Sequence, residues 1–367
     1  MKIGILGTRG IPNAYGGFEQ FAQYLAEGLL EKGHEVWVYN SNKHPYQQKT
    51  WKGIHIIHCT DWENKIGTAG QFIYDFNCLI DAKKRNYDIL FQLGYTSNSV
   101  WFRLWPKKSI NVVNMDGLEW KRDKYNSLTK KFLLKAEKWA VRKADALVAD
   151  SPGIQSYLLH KYKKQSFYIP YGAVIPNGYE PSILNNWQLK PHNYFLIIAR
   201  MEPENNIEMI IKGYLASQQV LPMVILGNTS NKFGNYLLKN YSSPNLNFAG
   251  AIYDQQVVNT LRYFSLLYFH GHSVGGTNPS LLEAMACECQ IAAHDNIFNK
   301  AILEDNAYYF STPEAVTAII DTRNDEEAVI RNKQLNLQKI RTLYSWKNIT
   351  NQYEKVFFNL SKNSVIG

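Results

Sequence analysis

Two stretches in the second half of the chain place charged side chains and glycines where predicted strands end. In FLIIARMEPENNIEMII (195–211), Arg200 follows an apolar run, and a helix-like stretch begins near Asn206. A guanidinium at the carboxyl end of a strand can bind a phosphate through two parallel hydrogen bonds. The pattern therefore indicates an anion site. The alternative is that Arg200 pairs with Glu202 or Glu204 and clamps the loop.

The second stretch, HGHSVGGTNPSLLEAMACE (270–288), has the pattern of a glycine-rich loop before a helix. Pro279 is well placed as the first helical residue, with Asn278 as the N-cap. The backbone N–H groups that precede the helix would then form an anion site at its positive end. These N–H groups belong to Gly275, Gly276, Thr277 and Asn278.

Glu283 lies one turn into this predicted helix. A carboxylate there can accept hydrogen bonds from the hydroxyls of a ribose. The alternative is a capping box, Ser280-x-x-Glu283, in which Ser280 is the cap. A capping box would leave Pro279 without its role as helix starter.

The first strand is followed by glycines with the spacing G-x-x-G-x-x-G, at Gly4, Gly7 and Gly10. A dinucleotide-binding loop has the spacing G-x-G-x-x-G and a carboxylate after the second strand. Here the second strand ends in Val-Tyr-Asn-Ser (38–41), so a hydride-transfer enzyme is disfavoured. Gly16 and Gly17, directly before a helix, are the better candidates for an anion or sugar contact.

Predicted strands and helices alternate along both halves of the chain, and these elements must position the candidate residues. This alternation predicts two α/β domains with parallel sheets and a cleft between them. The predicted domains are 1–172 and 192–345. A Pro- and Gly-rich linker covers 173–191, and a final helix, 346–367, packs back on the first domain. Predicted strands include Ile3–Leu6, Ile89–Leu93, Ile110–Asn114, Ala146–Ala149, Tyr194–Ala199, Met223–Leu226 and Leu266–Phe269, and predicted helices include Phe18–Glu31, 126–143, Ile207–Leu215 and Pro279–Ala286.

Composition narrows the class of protein. No apolar run of the 367 residues is long enough to span a membrane, and the start does not have the pattern of a secretory signal, so we expect a cytoplasmic protein. The four cysteines have no metal-ligand spacing and are expected to be buried thiols. Residues 1–172 carry a net charge of +10 and the remainder −1. An anionic partner, either a nucleic acid or a membrane surface, would explain this asymmetry. Solvated helix faces are the alternative.

The pattern strand–Arg–loop–Glu–helix, followed about 80 residues later by a glycine-rich loop and L-E-A-M-A, resembles the nucleotide-sugar domain of glycosyltransferase family 4, a family of the GT-B fold. The opening GTRGIPNAYGGFEQF and the stretch MDGLEWKR (115–122) resemble a bacterial subgroup that includes rhamnosyltransferases of polysaccharide assembly. The resemblance extends over nearly the whole chain. It implies a GT-B architecture, in which two Rossmann-like domains face a central cleft.

The resemblance implies a role for each candidate residue. Arg200 would bind the donor diphosphate and act in catalysis, and Glu283 would bind the ribose. The chain departs from the family at two positions: Gly275 replaces the first glutamate of E-x7-E, and Asn205 replaces a common lysine. The remaining donor-binding candidates are Gly16, Gly17, Glu204, Gly276, Thr277 and Asn278.

Asp116 follows a predicted strand of the first half, so it would position or deprotonate the acceptor hydroxyl, with Glu119 as a second acceptor-binding residue. A turn aspartate before Gly117 is the alternative for Asp116. No two aspartates have the Asp-x-Asp spacing of metal-dependent glycosyltransferases, so we expect neither a metal nor a cofactor.

The sequence therefore predicts a retaining hexosyltransferase of cell-surface polysaccharide or capsule biosynthesis, with rhamnose as the first choice of sugar. Its donor would be a dTDP-, UDP- or GDP-linked sugar. Its acceptor would be a lipid-linked saccharide or an oligosaccharide at the anionic inner face of the membrane, and no nucleic acid partner is expected because no RNA-binding aromatic motif is present. A nucleotide-sugar epimerase of the same fold and a non-catalytic sugar- or nucleotide-binding protein are the alternatives.

Overall fold

The computed structural model describes residues 1–14, 16–122, 125–322 and 326–365, with side chains described as far as Lys362. The chain forms two compact units. Unit 1 contains Met1–Trp120, Tyr125–Gly172 and Trp346–Gly367, and unit 2 contains Lys121–Lys124 and Ala173–Ser345. Residues 173–191, predicted to be a linker, are part of unit 2. They include a 3-10 helix at Pro181–Trp187, and the backbone N–H of Glu180 donates to Thr260.

Unit 1 is built on an eight-stranded sheet with the order β3-β4-β2-β1-β5-β6-β7-β8. All neighbours are parallel except β3 and β4, which pair as an antiparallel hairpin. The strands are β1 (Lys2–Leu6), β2 (Glu35–Ser41), β3 (Thr50–Trp51), β4 (Ile54–Cys59), β5 (Ile89–Leu93), β6 (Ile110–Asn114), β7 (Ala146–Ala149) and β8 (Phe167–Tyr168).

Helices connect these parallel strands, as crossover connections require, and the connection from β5 to β6 is a 3-10 helix, Asn98–Leu104. The α-helices are α1 (Gly17–Glu31), α2 (Glu63–Ile66), α3 (Gly70–Ala82), α4 (Ser127–Lys143) and α5 (Pro152–Tyr162). Strand β5 is buried along its whole length, which is typical of a parallel strand covered on both faces. Its bounds agree with the predicted strand Ile89–Leu93, in which Gln92 is the one polar residue.

Unit 2 is built on a six-stranded parallel sheet with the order β11-β10-β9-β12-β13-β14. The strands are β9 (Phe195–Ile198), β10 (Met223–Leu226), β11 (Leu246–Gly250), β12 (Leu267–His270), β13 (Ile291–His294) and β14 (Tyr308–Phe310). The helices are α6 (Ile207–Ala216), α7 (Lys232–Asn240), α8 (Gln255–Tyr263), α9 (Pro279–Ala286), α10 (Ile297–Leu303), α11 (Pro313–Thr322) and α12 (Glu326–Thr342).

The last helix, α13 (Trp346–Val365), belongs to unit 1 and packs on α1 through aromatic side chains. The Trp346 ring stacks on Tyr24 at 4.9 Å, and Tyr353 meets Phe21 edge to face at 5.5 Å. Aromatic pairs in these arrangements stabilise a contact beyond the area that they bury. The C-terminal segment is therefore part of the hydrophobic core of unit 1.

Two expectations from composition concern the cysteines, expected to be buried thiols, and the absence of a segment long enough to span a membrane. Cys59, Cys78, Cys287 and Cys289 are all free thiols in buried positions. Over the described ranges, no helix has both the length and the apolar character needed to cross a bilayer.

Candidate active site

The order of the strands in unit 2 locates its ligand-binding edge. Strand β9 lies between β10 and β12, so the chain leaves β9 in one direction across the sheet and continues from β12 in the other. Ligands of open α/β sheets bind beyond the carboxyl ends of the strands at such a switch point. The loop after β9 carries Arg200, and the loop after β12 carries the glycine-rich stretch 271–278. Both predicted anion motifs thus lie at the switch point of one sheet.

The loop after β9 is held by its own side chains. The Asn205 amide donates to the backbone carbonyl of Arg200 at 2.8 Å, and Asn205 is only 5% exposed. Arg200 itself is exposed, and no ion pair of its guanidinium is found among the described residues. The alternative in which Glu202 or Glu204 clamps Arg200 is therefore not what the structure adopts, because the amide of Asn205 holds the loop.

The two switch-point loops are hydrogen-bonded to each other. Asn206, in the left-handed region at φ 51°, donates its amide to the carbonyl of Gly271 at 2.8 Å. Ser273 donates its N–H and its hydroxyl to the carbonyl of Glu204 at 3.1 and 2.8 Å. The Glu204 side chain is 6% exposed, and neither carboxylate oxygen has a hydrogen-bond partner within the described part of the chain. Direct donor contacts of Glu204 and Asn205 remain predictions.

His272 is a candidate that the sequence analysis did not name. It follows β12, and its ring stacks on that of His270 with centroids 4.4 Å apart. Burial, together with the positive charges of Arg200 and Arg122, lowers the pKa of His272 to about 3. The imidazole is therefore neutral at physiological pH, and it lies within electrostatic range of Arg200. Two histidines one residue apart at a strand end were the signal available in the sequence.

The start of α9 agrees with the local sequence pattern. Asn278 is the N-cap, and its Oδ1 accepts the N–H of Ser280 at 2.9 Å, with Pro279 as the first helical residue. Both predictions are confirmed. Gly275 has φ 135°, a conformation that side chains rarely adopt, although a Cβ there would meet no atom within 4 Å. The missing first glutamate thus coincides with a backbone that suits only glycine.

Glu283 does not form a capping box with Ser280. Its Oε2 lies 2.7 Å from Nη2 of Arg262, a residue of α8 that is 2% exposed. The Ser280 hydroxyl accepts from the same guanidinium at 3.1 Å and bonds to the Tyr268 hydroxyl at 2.8 Å. The side chain of Glu283 remains 21% exposed. No sequence signal pointed to Arg262, because its partner lies on a different helix.

In unit 1 the switch point lies between β1 and β5, and the glycine-rich loop leaves β1 there. A Cβ on Gly4 would meet the Tyr87 ring at 2.8 Å, and one on Gly7, at φ 97°, would meet the carbonyl of Leu93 at 2.2 Å. These glycines are therefore required for packing. Gly16 has the extended conformation (φ −176°) and a nearest contact of 3.6 Å, so packing does not require a glycine there.

The positive end of α1 already has a carboxylate beside it. Gly16 is the N-cap and Gly17 the first residue of α1, one residue before the predicted start at Phe18, and Glu19 lies in the first turn. Glu19 is 5% exposed and accepts the backbone N–H of Arg9 at 2.9 Å. Arg9 in turn forms a two-pronged ion pair with Glu63 at 2.9 and 2.6 Å. Contacts of Gly16 and Gly17 with a sugar or phosphate stay predictions.

Strand-end carboxylates gather near Tyr171 of unit 1. Asp116 follows β6 in the left-handed region at φ 46°, and its N–H donates to Asn114 at 2.9 Å. Asp150, missed in the sequence although it follows β7 as Asp116 follows β6, is 1% exposed. Burial raises the pKa of Tyr171, and the charges of Asp116, Asp150 and Glu19 add to the shift. The structure therefore brings three carboxylates within electrostatic range of one buried phenol.

Glu119, the second predicted acceptor ligand, lies in a short 3-10 helix, Glu119–Lys121. The neighbouring Trp120 donates its indole N–H to Glu137 at 3.1 Å. Glu137 is 1% exposed and also accepts from the hydroxyls of Tyr157 and Tyr162 at 2.7 and 2.6 Å. The segment that carries Glu119 is thus anchored to α4.

Comparisons with known proteins agree with this picture. Residues 1–174 match a family described as a domain of unknown function (DUF1972), and residues 183–335 match the family Glycosyl transferases group 1. A search of curated protein sequences finds no match.

Solved structures share the fold over nearly the whole chain. Sucrose-phosphate synthase from Thermosynechococcus elongatus is similar with a TM-score of 0.81 at 16% identity, over 98% of both chains. HepE of Anabaena, solved in complex with UDP and glucose, has a TM-score of 0.73 at 16% identity, over 98% of this chain and 100% of its own. A glycosyltransferase from Rickettsia africae has a TM-score of 0.67 at 13% identity, over 99% and 98%. The fold is that of GT-B proteins, with two Rossmann-like domains.

Proposed function

We propose that this glycosyltransferase uses a nucleotide-sugar donor and transfers a hexose or deoxyhexose, with rhamnose as the first choice, to a lipid-linked or oligosaccharide acceptor in cell-surface polysaccharide assembly. The match of residues 183–335 to Glycosyl transferases group 1 supports the donor class. The observation that carries the donor assignment is Arg200. Its exposed guanidinium, without an ion pair among the described residues, lies at the β9–β12 switch point. A cation without a protein partner at this edge suits the diphosphate of a dTDP-, UDP- or GDP-sugar.

The chemistry required of unit 2 is stabilisation of a leaving group. Departure of the nucleoside diphosphate develops negative charge while the sugar becomes oxocarbenium-like, so preorganised donors at the diphosphate lower the barrier. In the proposed arrangement Arg200 and the backbone of 275–278 at the start of α9 supply these donors, and Glu283 accepts from the ribose. The neutral imidazole of His272 adds a hydrogen-bonding group beside Arg200 without adding a competing charge. The proposed mechanism uses no metal and retains the anomeric configuration.

Unit 1 would bind the acceptor. We assign Asp116 to the acceptor hydroxyl and Glu119 to a neighbouring hydroxyl of the acceptor. The left-handed backbone of Asp116 supports this assignment, since non-glycine residues in that region are concentrated at functional sites. A turn aspartate beside Gly117 would adopt the same conformation, so the Asp116→Asn variant decides between them. Transfer kept within a few-fold of wild type would remove Asp116 as a base.

A basic groove on unit 1 supports a peripheral position at an anionic membrane. The groove, with a volume of about 720 Å³, lies between α4 and α5. Leu134, Val141 and Tyr162 contribute apolar surface to it. Its cationic side chains are Lys135, Lys138, Arg142, Lys161 and Lys164. Lys161 pairs with the buried Glu137, whereas among the described residues no carboxylate is found in an ion pair with the other four. Basic residues near an anionic lipid surface contribute about 1 kcal/mol each.

The donor is tested by the thermal shift of the purified chain with dTDP-, UDP- and GDP-sugars. We expect one nucleotide class to raise the melting temperature, and a donor that is turned over only when an acceptor is added. Conversion of the donor sugar without any acceptor would favour the epimerase instead. The absence of a shift with every nucleotide sugar would contradict the proposed function.

Membrane binding is tested by flotation with vesicles that contain phosphatidylglycerol. We expect the wild type to float at low salt, and the double variant Lys138→Glu with Arg142→Glu to stay in the soluble fraction. Lys232→Glu with Lys239→Glu, on exposed positions of unit 2, changes the net charge equally and serves as the control. Equal loss of binding in both double variants would contradict a role for the groove.

A further inference from the structure

Arg262 is a charged side chain in the interior of unit 2. It lies in the last turn of α8 and is 2% exposed. Its Nη2 is 2.7 Å from Oε2 of Glu283 and 3.1 Å from the hydroxyl of Ser280. Its Nη1 is 3.5 Å from Oδ1 of Asn259. Arg262 therefore directs one edge of its guanidinium at two residues of α9.

Burial of such a group has a free-energy cost that calls for an explanation. Removing a guanidinium from water costs several kcal/mol, and a hydrophobic side chain of similar volume often stabilises a core at least as well. The Nε of Arg262 has no hydrogen-bond partner within the described ranges, which adds to the cost. Stability of unit 2 alone is thus a poor reason for an arginine at this position.

The two partners differ in their surroundings. Arg262 lies in the interior, whereas the Glu283 side chain keeps 21% of its surface exposed. The buried Arg262 therefore holds the Glu283 carboxylate from the interior side. The exposed part of Glu283 remains accessible to a molecule at the surface of unit 2. A hydrogen bond from a fixed donor restricts rotation of the carboxyl group, and restricting a binding group before the ligand arrives lowers the entropy cost of binding.

We propose that Arg262 is a positioning residue that orients the Glu283 carboxylate toward the hydroxyls of the donor ribose. The inference rests on the proposed function, because it needs a nucleotide at this site. The Tyr268 hydroxyl, which bonds to Ser280 at 2.8 Å, connects β12 to the same cluster. Side chains from α8, α9 and β12 thus form one hydrogen-bonded cluster, in which Arg262 holds the carboxylate. The ribose contact would then depend on a residue that does not touch the nucleotide.

The test measures how much the ribose hydroxyls contribute to binding. UDP is compared with 2′,3′-dideoxyuridine diphosphate, GDP with its dideoxy form, and dTDP with 3′-deoxythymidine diphosphate, by calorimetry on the full chain. For the pair whose parent binds, we expect about a tenfold loss of affinity in wild type when the hydroxyls are removed, the size of one hydrogen bond to a charged group. In Glu283→Gln and in Arg262→Met, the loss should fall to about twofold or less.

Further variants separate positioning from a general effect on the fold. In the double variant Arg262→Met with Glu283→Gln, we expect no further reduction of the hydroxyl effect, since both residues act on the same contact. Arg85→Met, which removes another arginine that is paired with a carboxylate (Asp81), is the control and should keep the tenfold loss. If Arg262→Met does not fold, Ser280→Ala tests the same cluster and should reduce the hydroxyl effect in part.

The outcomes that overturn the inference are distinct from those that overturn the function. A folded Arg262→Met variant that keeps the full tenfold loss would show that Arg262 is only structural, and so would an unchanged loss in Ser280→Ala if Arg262→Met does not fold. Failure of wild type to bind any of dTDP, UDP and GDP would overturn the proposed function, and the inference with it.

Discussion

The side-chain amide of Asn205 donates to the backbone carbonyl of Arg200 at 2.8 Å, so the residue that replaces a common lysine of the family holds the loop that presents the arginine. Compared with a loop that has lysine at this position, this loop has one fewer cation. In its place it has a hydrogen bond between the Asn205 amide and the Arg200 carbonyl. In the proposed donor site, Arg200 and the start of α9 would therefore balance the charge of the diphosphate, without a lysine at 205 and with His272 neutral.

Replacement of Asn205 tests this role of the amide. In Asn205→Ala, the bond to the Arg200 carbonyl is lost, and we expect unit 2 to lose about 1 kcal/mol of unfolding free energy. Donor affinity should fall with it, because Arg200 is then less well positioned. Urea denaturation and nucleotide titration measure the two effects. Asn235→Ala removes an exposed amide contact to Ser230 and is the control. Unchanged donor affinity in Asn205→Ala would contradict the positioning role.

Removal of the Arg200 guanidinium tests the assignment of the diphosphate. We expect Arg200→Ala to reduce kcat by about 100-fold or more, the usual cost of losing one donor that acts on transition-state charge. The fold should remain intact, because the side chain is exposed. Arg200→Lys should retain part of the rate, since an ammonium keeps the charge but not the paired hydrogen bonds. The exposed Arg341→Ala is the control, and unchanged donor kinetics in Arg200→Ala would remove Arg200 from the site.

Two glycines of unit 1 allow packing and ligand contact to be separated. Gly7→Ala should destabilise the protein by more than about 2 kcal/mol, because its φ of 97° disfavours a side chain and a Cβ would meet the Leu93 carbonyl at 2.2 Å. Gly16→Ala should leave the melting temperature nearly unchanged, since its backbone is extended and its nearest contact is 3.6 Å. If Gly16 faces the donor, activity should drop in that stable variant. Full activity of Gly16→Ala would show that the position is not in contact with substrate.

Asp75, in α3, predicts a pH dependence of stability. Burial raises the pKa of its carboxyl to about 7, opposed by the hydrogen bond that Ser97 donates at 2.5 Å. Because the folded pKa exceeds the unfolded one, the folded state holds the proton more tightly. Its contribution to stability is complete below about pH 4 and is lost as the pH rises through about 7.

The Asp75→Asn variant isolates this effect. The difference in unfolding free energy between wild type and variant should change by up to about 4 kcal/mol between pH 4 and pH 8, with wild type relatively weaker at high pH. Urea denaturation across that range measures it. Arg85→Met, which removes the partner of Asp81 in the same helix as Asp75, is the control. The difference in unfolding free energy between wild type and this variant should be independent of pH over this interval. A flat difference for Asp75→Asn would mean that the carboxylate is charged in the folded state.

Local sequence patterns determined the elements whose signals are continuous along the chain. The run Ile89–Leu93, apolar except for Gln92, predicts β5 because a run this short is typical of a strand buried on both faces. The start of α9 was predicted because capping by Asn278 and the fixed φ of Pro279 act within a few residues. The short elements β3, α10 and β14 were not predicted, since two to seven residues carry too little periodicity to identify them.

The sequence by itself determined the two α/β units and the strand-end positions of Arg200, Asp116 and the glycine-rich loops, because hydrophobic periodicity and caps are local. Only the tertiary structure decided which side chains meet. Arg262 and Glu283 are about twenty residues apart on different helices, and their ion pair depends on how α8 and α9 pack. Likewise, the contact of Asn206 with Gly271 depends on β9 and β12 being neighbours. The strand order, which no local signal contains, therefore decided the geometry of the candidate site.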